Sequence, residues 1–195
     1  MNRLLALVAF AFAGSASPGP NNAVLWSSGL RFGFRRTVPH VVGTAIGIGS
    51  LVVAAAAGVG VLVRAIPSVE LTLKLVGSAY LLYVAYMVAA GGVVGERSVS
   101  HPLTLWQAVA FQWVNPKAWI FALAAAGTFL PPELHPVMGI ALVTLVLMIV
   151  VVGSSSVWAM GGAVLGRVIE NERARRAVSV ALAVLLVASV ALIWL

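Results

Sequence analysis

The chain contains no aspartate, no cysteine and only five glutamates among its 195 residues. The absence of cysteine excludes disulfides, thiolate metal sites and thiol redox chemistry. Only 9% of the residues are charged and 62% are hydrophobic, with a mean hydropathy of +1.07, whereas soluble domains carry roughly a quarter charged residues. Such a chain cannot cover itself with a solvated surface, so the composition predicts a membrane protein whose apolar stretches face lipid.

Basic residues outnumber acidic ones, and the formal net charge is +7. In a soluble protein an excess of this kind is typical of nucleic-acid binding. In a membrane protein it is the expected property of the loops. We therefore expect a lipid bilayer, and no nucleic acid, among the partners of the chain.

Six stretches are apolar over about the 20 residues that a transmembrane helix needs. Short polar loops separate them, which leaves no room for a soluble domain. The sequence therefore predicts an all-α membrane protein with a single polytopic domain over residues 1–195. The six predicted spans are 4–29, 39–63, 71–90, 106–130, 136–160 and 177–195.

Arginines are distributed unequally between the two sides of the predicted spans. Eight of them lie in the first, third and fifth loops, whereas only Arg3 and Arg64 lie on the opposite side. Because cytoplasmic loops carry the basic excess, both termini are predicted to be extracytoplasmic. The eight arginines are Arg31, Arg35, Arg36, Arg97, Arg167, Arg173, Arg175 and Arg176.

Residues 1–16 have the composition of a signal peptide, with a basic start, an apolar centre and small residues at the end. However, Arg31, Arg35 and Arg36 follow closely, and positive charge just after a signal sequence opposes its translocation. The apolar run also resumes at AVLWSSGL. We therefore retain this segment as part of the first span.

Prolines interrupt the first and the fourth predicted spans. The first contains SASPGPNNAV with Pro18 and Pro20, and the fourth contains QWVNPKAW with Pro116. Proline removes a backbone donor and clashes with the carbonyl four residues earlier, and irregular backbone survives in lipid only where it lines a cavity or is covered by protein. In the fourth span, Asn115 is a good N-cap and Pro116 suits the first helical position.

The two interruptions lie near the middle of the first helix in each of two three-span halves, approximately residues 1–95 and 100–195. Since three is odd, the halves cross the membrane in opposite senses and form a predicted inverted repeat. Matched broken helices in such halves indicate a transport site at the midplane. The N–H groups of the half-helices there are suited to a carboxylate. For either interruption alone, a packing kink is the alternative.

Two lysines lie within predicted spans. Lys117 is about a dozen residues, or roughly 18 Å of helix, from either end of its span. That depth is too great for its ammonium group to reach the interface, so we expect it to face a wet cavity or an anion. Lys74 follows Glu70 by four residues, so an ion pair within the helix and a contact with substrate are both open for it.

These motifs resemble those of the LysE/RhtB exporters, small bacterial membrane proteins that export amino acids such as lysine, threonine and homoserine. The resemblance covers nearly the whole chain. It implies efflux of an amino acid or close derivative across the inner membrane, driven by proton motive force or exchange and without a cofactor. The matching residues are Ser17, Pro18, Gly19, Pro20 and Asn21, Gly43 and Gly47, Lys74, Gly77, Tyr80 and Leu81, and Asn115, Pro116, Lys117 and Ala118.

The fifth span departs from the family pattern. Some members carry an acidic residue there, whereas this chain has Ser154, Ser155 and Ser156, which donate hydrogen bonds but cannot carry a proton. Glu70 is left as the candidate for proton coupling. Because the predicted site holds basic residues and few acids, a neutral substrate is favoured over a lysine-like one.

The predicted mechanism is alternating access around the midplane site. Asparagine side chains and half-helix N–H groups are expected to hold the substrate carboxylate beside Lys117, while Trp113 and Tyr80 shape the pocket. Whether the chain forms a homodimer is left open. The predicted substrate pathway comprises Pro18, Gly19, Pro20, Asn21, Asn22, Lys74, Tyr80, Gln112, Trp113, Asn115, Pro116 and Lys117.

Other functions are less compatible with these residues. An exporter of divalent metal ions or of another small metabolite is the alternative, although a cation site needs carboxylate, His or Cys ligands. His40, His101 and His135 are predicted at span ends or in loops. An intramembrane hydrolase would need a base beside the serines at 154–156, and no His is predicted deep in a span, so we expect no enzyme. An auxiliary membrane subunit is a further alternative. Loss of function on changing Lys117, without loss of folding, would argue against it.

Overall fold

In the computed structural model of the chain, the structure describes residues 2–58, 67–89, 93–94, 97–98, 101–168 and 171–194. These residues form eight helices and one antiparallel pair of two-residue strands. In chain order the elements are α1 (Asn2–Ala16), α2 (Pro20–Phe32), α3 (Phe34–Ala56), α4 (Pro67–Ala89), β1 (Val93–Val94), β2 (Arg97–Ser98), α5 (Leu105–Val114), α6 (Pro116–Phe129), α7 (Pro136–Val168) and α8 (Glu172–Trp194).

Each of the two proline-containing spans is divided into two helices. The first break consists of residues 17–19 and lies between α1 and α2, and the second break consists of Asn115 alone and lies between α5 and α6. The backbone N–H of Lys117 donates to Asn115 Oδ1 at 3.2 Å, and Pro116 begins α6. The predicted interruptions, and the predicted N-cap and first helical position of the second one, are confirmed.

Within the described residues, two helices are long and apolar enough to cross a membrane by themselves, Phe34–Ala56 and Pro136–Val168. Arg3–Ala16 and Arg176–Ala188 are apolar but shorter. The breaks divide the first and the fourth predicted spans into helices of 10 to 15 residues, below the length that a span requires. The helical character of the chain is confirmed, and the arrangement of six spans stays a prediction.

The second predicted span differs from the helix that contains it. α3 begins at Phe34 rather than at residue 39, and it includes Pro39. Gly33, whose φ of 77° favours glycine, separates α3 from α2. The arginine-rich segment is therefore helical on both sides of this glycine. The predicted span began too late because hydropathy detects only the apolar part of a helix.

α3 and α7 are the central helices of the fold. α7 packs against α1, α2 and α3; α3 also packs against α5 and α6; and α4 packs against α8. The first cluster of buried side chains joins α1, α3, α6 and α7, and the second joins α2, α4, α5 and α8. Each broken helix therefore has one piece in each cluster. This division brings the two breaks to the boundary between the clusters.

The outer surface of the helices is strongly apolar. The relative exposures of Leu5, Trp106, Ile149 and Val168 are 71%, 74%, 71% and 72%. A soluble monomer rarely exposes apolar side chains over such extended patches, whereas a bilayer covers them. The helices are therefore those of a membrane protein.

Candidate functional site

A cavity of about 50 Å³ lies between the two breaks. Since ~10–15 Å³ of volume open to a water-sized probe is enough to hold one water molecule, the cavity has room for a few water molecules in this conformation. Six helices contribute to it, from α1, α2 and α3 to α5, α6 and α7. Its polar lining residues are Ser15, Asn21, Asn22, Thr44, Gln112, Asn115, Lys117 and Ser155.

The side chain of Asn21 is the centre of a hydrogen-bond network at the start of α2. Its Oδ1 accepts hydrogen bonds from Gln112 Nε2 at 2.8 Å and from Thr44 Oγ1 at 3.1 Å. His40 Nε2 lies 3.4 Å from the same oxygen. An amide oxygen has two lone pairs, and the single hydroxyl hydrogen of Thr44 also has His40 O within reach at 3.0 Å, so Gln112, Thr44 and His40 share this oxygen. The network fixes the orientation of the Asn21 amide at the cavity wall.

Asn22 joins the two sides of the first break. Its side chain is buried, and its Nδ2 donates to Ser15 O at 2.7 Å and to Ser17 O at 2.9 Å. These carbonyls belong to the end of α1, where the helix itself provides no donors. Ser17 Oγ donates to Gly14 O at 2.9 Å, one of the carbonyls that a proline at position 18 deprives of its partner. Side chains near the break thus donate hydrogen bonds to the backbone carbonyls that the helix leaves without a partner.

Lys117 connects the second break to the first. Its Nζ donates to Ser17 O at 2.7 Å, to Ser17 Oγ at 2.7 Å and to Pro18 O at 3.1 Å. An ammonium group has three donors, so all three are directed at the carboxyl end of α1, where the helix dipole is negative. In this conformation the partners of Lys117 are therefore neutral oxygens of the chain, in the position where the sequence led us to expect an anion.

Three helix ends converge on the cavity. The carboxyl end of α1 carries a partial negative charge, and the amino ends of α2 and α6 carry partial positive charges. No side chain caps α2, which begins at Pro20 after Gly19, whereas the side chain of Asn115 caps α6. The cavity thus offers oxygen acceptors and N–H donors side by side. Such a pair of poles is complementary to a small zwitterion.

The wall opposite the breaks is mostly apolar. It is formed by Ile48 of α3, Phe121 of α6 and Val151 of α7, with the hydroxyl of Ser155 beside them. Ser154 is also buried, and within the described part of the chain its Oγ has no hydrogen-bond partner. None of the carboxylates that the structure describes lines this cavity. Of the three serines noted in the fifth predicted span, Ser155 therefore reaches the site.

Six of the predicted pathway residues do not line the cavity: Pro18, Pro20 and Pro116, which lie at the breaks, and Tyr80, Trp113 and Lys74. The ring of Tyr80 packs against Phe111, with 5.6 Å between centroids, inside the second cluster. Trp113 Nε1 donates to Ser50 Oγ at 3.0 Å, because successive helical residues point about 100° apart and Gln112 takes the inward position. Lys74 belongs to α4, which packs against α8.

The predicted coupling residue, Glu70, belongs to α4, but its side chain lies outside the part of the chain that the structure describes. Among the described residues, no group of three or more His, Cys, Asp or Glu side chains is placed to hold a metal ion.

His40 and Thr44 were not predicted to belong to the site. α3 begins before the predicted second span, and His40 is fully buried in it, one turn before Thr44. Their signal was two polar residues four positions apart in the otherwise apolar stretch 38–49, which places both on one face of the helix.

Comparison with known proteins agrees with this architecture. The family model of LysE type translocators matches residues 12–193. The cysteine/O-acetylserine efflux proteins of Salmonella typhimurium (strain LT2) and Escherichia coli (strain K12) are each 27% identical to this chain over 172 residues, covering 88% of this chain and 87% of the relative. No solved structure matches the chain significantly. Because the family model extends over both breaks and nearly the whole chain, the chain belongs to the family of LysE type translocators.

Proposed function

We propose that this protein exports a small neutral amino acid or a close derivative by alternating access around the cavity between the two breaks. The observation that carries the proposal is the convergence of three helix ends of opposite polarity on one polar cavity. Family membership supports export, and relatives described as cysteine/O-acetylserine efflux proteins indicate a small neutral substrate.

The two poles of the site are suited to the two charges of an amino acid. The carboxylate binds at the uncapped amino end of α2, and the ammonium group binds at the carbonyl oxygens of Ser17 and Pro18, where the Lys117 ammonium now lies. Lys117 then turns from these carbonyls to the substrate carboxylate. This exchange satisfies both charged groups of the substrate and keeps Lys117 paired.

The apolar wall supports the choice of a neutral side chain. Ile48, Phe121 and Val151 offer no partner to a second charge, and Ser155 offers one hydroxyl group. Leaving a cationic side chain unpaired there is unfavourable. A short side chain with at most one polar group fits this wall best.

The packing pattern supports two halves that rock against each other. α1 and α2 pack on α7 of the other half, and α5 and α6 pack on α3 of the first half. α3 also contacts α7, and α4 contacts α8. Such reciprocal packing is what a two-fold axis in the membrane plane produces. We therefore propose an inverted repeat of residues 1–95 and 100–195, whose relative motion exposes the cavity to each side in turn.

The proposed location is the bacterial inner membrane, with both termini extracytoplasmic. Arg3 Nη1 lies 3.2 Å from Glu133 Oε1, so the start of α1 and the loop between α6 and α7 are on the same side, as this topology requires. Arg35, Arg36 and Arg167 are exposed, and basic residues favour the cytoplasmic side.

A reconstitution experiment tests the proposed function. Proteoliposomes would be loaded with a mixture of labelled amino acids that includes cysteine and O-acetylserine, and release would be compared between wild type, Lys117→Gln and Arg167→Gln. Because hydrogen bonds to a charged group contribute ~1.5–3 kcal/mol, we expect Lys117→Gln to lower the rate of release by about ten- to a hundredfold.

Arg167→Gln is the matched control, since it removes one positive charge at an exposed position outside the cavity. It should leave the rate within about twofold of wild type. Release that is equally fast in wild type and in Lys117→Gln contradicts the assigned role of Lys117. Failure of folded wild-type protein to release any amino acid contradicts the proposed function itself.

A further inference from the structure

His40 is a titratable side chain at the centre of the fold that the transport cycle described above does not use. It is fully buried on α3, and its Nε2 lies 3.4 Å from Asn21 Oδ1. Since that oxygen can only accept, Nε2 carries a hydrogen in this contact and Nδ1 presents a lone pair. Within the described part of the chain, Nδ1 has no hydrogen-bond partner. His40 is therefore a buried base next to a residue of the cavity wall.

The charged groups around His40 are few. Lys117 of α6 is the only one of them that lines the cavity, and the others are exposed at helix ends. α5 carries no titratable residue. An imidazolium at position 40 would thus face a second cation and no carboxylate on these helices. The remaining charged residues on α3 and on the helices packed against it are Arg31, Arg35, Arg36 and Arg167.

We propose that His40 binds the proton that couples export to the proton gradient, and that it acts on the substrate site through Asn21. The inference rests on the proposed function, because it assigns the coupling step of the same transport cycle. In each cycle, His40 takes one proton from water on the side where the substrate leaves. The proton is released to water on the side where the next substrate binds, and no other bond changes.

Asn21 connects the proton to the substrate. With neutral His40, Asn21 Oδ1 accepts short hydrogen bonds from Gln112 and Thr44, and the contact with His40 is the longest of the three. A protonated imidazole makes a shorter and stronger, charge-assisted bond. It would draw Oδ1 away from Gln112 and turn the Asn21 amide at the cavity wall. The position of the substrate-binding amide therefore depends on whether His40 carries a proton.

Electrostatic repulsion acts in the same direction. An added positive charge at His40, beside the amino end of α2, opposes the turn of Lys117 toward that end, so Lys117 stays at the carbonyls of Ser17 and Pro18 where the substrate ammonium group would bind. Proton and substrate therefore bind in alternation. Because coupling between two ligands is reciprocal, the substrate lowers the affinity of His40 for its proton by the same factor. Alternate binding of this kind is what an antiporter requires.

His40 also fits the proton-carrying role better than the serines of α7. Ser154, Ser155 and Ser156 cannot carry a proton at physiological pH, and no carboxylate among the described side chains lines the cavity. An imidazole in water changes charge near neutral pH, whereas a serine hydroxyl does not. Its contact with Asn21 provides the connection to the substrate that a coupling residue needs.

Two assays on the same proteoliposomes separate coupling from transport. The first is exchange of labelled amino acid across the membrane without a pH gradient, and the second is accumulation driven by a pH gradient. With one proton exchanged per substrate, each unit of pH gradient supports ~tenfold accumulation. We expect His40→Gln to keep exchange within about twofold of wild type and to lose the gradient-driven accumulation, because glutamine can donate to Asn21 but cannot take up a proton.

Thr144→Val is the matched control, since Thr144 is half-buried and its Oγ1 is another buried polar atom without a partner among the described residues. It should keep both activities. In weakly buffered detergent solution, at a pH low enough for the substrate-free protein to hold a proton on His40, adding substrate to wild type should release up to one proton per molecule bound, by the reciprocity above. Neither His40→Gln nor His40→Asn should release a proton in that assay.

Several outcomes overturn the inference. Gradient-driven accumulation that persists in His40→Gln excludes His40 as the coupling residue. Loss of exchange together with accumulation, in both His40→Gln and His40→Asn, assigns His40 a structural role instead. If wild type exchanges amino acids but does not respond to a pH gradient, the inference fails while the proposed function stands. If wild type moves no amino acid at all, the proposed function fails as well.

Discussion

The packing of single side chains around Gly19 explains why a glycine occupies this position. Its backbone is extended, with φ of 174° and ψ of 177°, a conformation that any residue can adopt. A Cβ at this position, however, would lie 2.9 Å from Lys117 Cδ and 3.0 Å from Lys117 Nζ. Glycine is therefore required here by its neighbour and not by its own backbone, because it leaves room for the Lys117 side chain to reach the end of α1.

We expect Gly19→Ala to impair transport without unfolding the protein. Gly19 lines the cavity, so the new methyl group occupies the space in which Lys117 and the substrate ammonium group exchange places at Ser17 and Pro18, and the rate of release should fall by about tenfold, the effect of losing ~1.4 kcal/mol. The measurement is release from proteoliposomes together with the thermal midpoint in detergent. Gly127→Ala is the control, since a Cβ there meets nothing within 4 Å. A Gly19→Ala rate equal to that of Gly127→Ala would contradict the role given to this contact.

Local chemistry determined which single residues could be predicted from sequence. Asn115 and Pro116 were identified as cap and first helical residue because both roles depend on adjacent backbone. The partners of Lys117 were not identified, because Ser17 lies 100 residues away and its position is set by the packing of α1 beside α6. Tyr80 and Trp113 have the residue type of a pocket wall, but helix rotation directs them elsewhere.

Glycines bring the backbones of α2 and α7 into direct contact. A Cβ at Gly29 of α2 would overlap the carbonyl oxygen of Ala159, and a Cβ at Gly162 of α7 would overlap that of Trp26. A Cβ at Gly166 would overlap that of Leu30. Small residues on facing helices permit this approach in membrane proteins. The contact fixes the position of α2, and with it the uncapped amino end at the cavity.

Gly162→Ala should destabilise the protein, because the atom in its way belongs to the backbone and cannot rotate aside. Overpacking of this kind costs about 1–3 kcal/mol, which should appear as a lower thermal midpoint in detergent. Gly153→Ala on the same helix is the control, since a Cβ at Gly153 meets nothing within 4 Å. Equal thermal midpoints for the two variants would show that α2 and α7 can move apart without loss of stability.

Helix identity was easier to predict than helix contacts. The breaks and most helices follow from proline and apolar runs, which are local signals. Helices approach closely at Gly43 and Gly47, where added Cβ atoms would overlap Leu105 O and lie 2.6 Å from Gln112 Cγ. Gly29 and Gly162 escaped notice because a glycine in an apolar run does not indicate which helix it faces. That choice depends on the packing of the whole bundle.

At the scale of the whole molecule, the class of protein could be predicted from sequence, but the contacts between its helices could not. Composition and length were sufficient to predict an all-helical membrane protein. They could not predict which helix packs against which, because the lipid-facing and buried sides of these helices are both apolar. The reciprocal packing of α1 and α2 on α7, and of α5 and α6 on α3, became visible only in three dimensions.

The proposed topology can be tested without background labelling, since the chain has no cysteine of its own. Leu134→Cys in the loop before α7 should react with a membrane-impermeant maleimide in intact cells. Asn171→Cys in the loop after α7 should react only after permeabilisation, because the proposed topology places the arginine-rich loops in the cytoplasm. Both positions are exposed. The opposite labelling pattern would invert the proposed orientation.

The three hydrogen bonds of Lys117 to the end of α1 also have a physiological consequence. A substrate that recruits this ammonium group must first replace bonds that the empty protein already makes, so its apparent affinity is reduced by their free energy. An exporter with such a threshold stays idle while the cytoplasmic pool is low and runs only when the pool is in surplus. In this way, the hydrogen bonds of Lys117 within the protein would prevent the cell from exporting metabolites that it still needs.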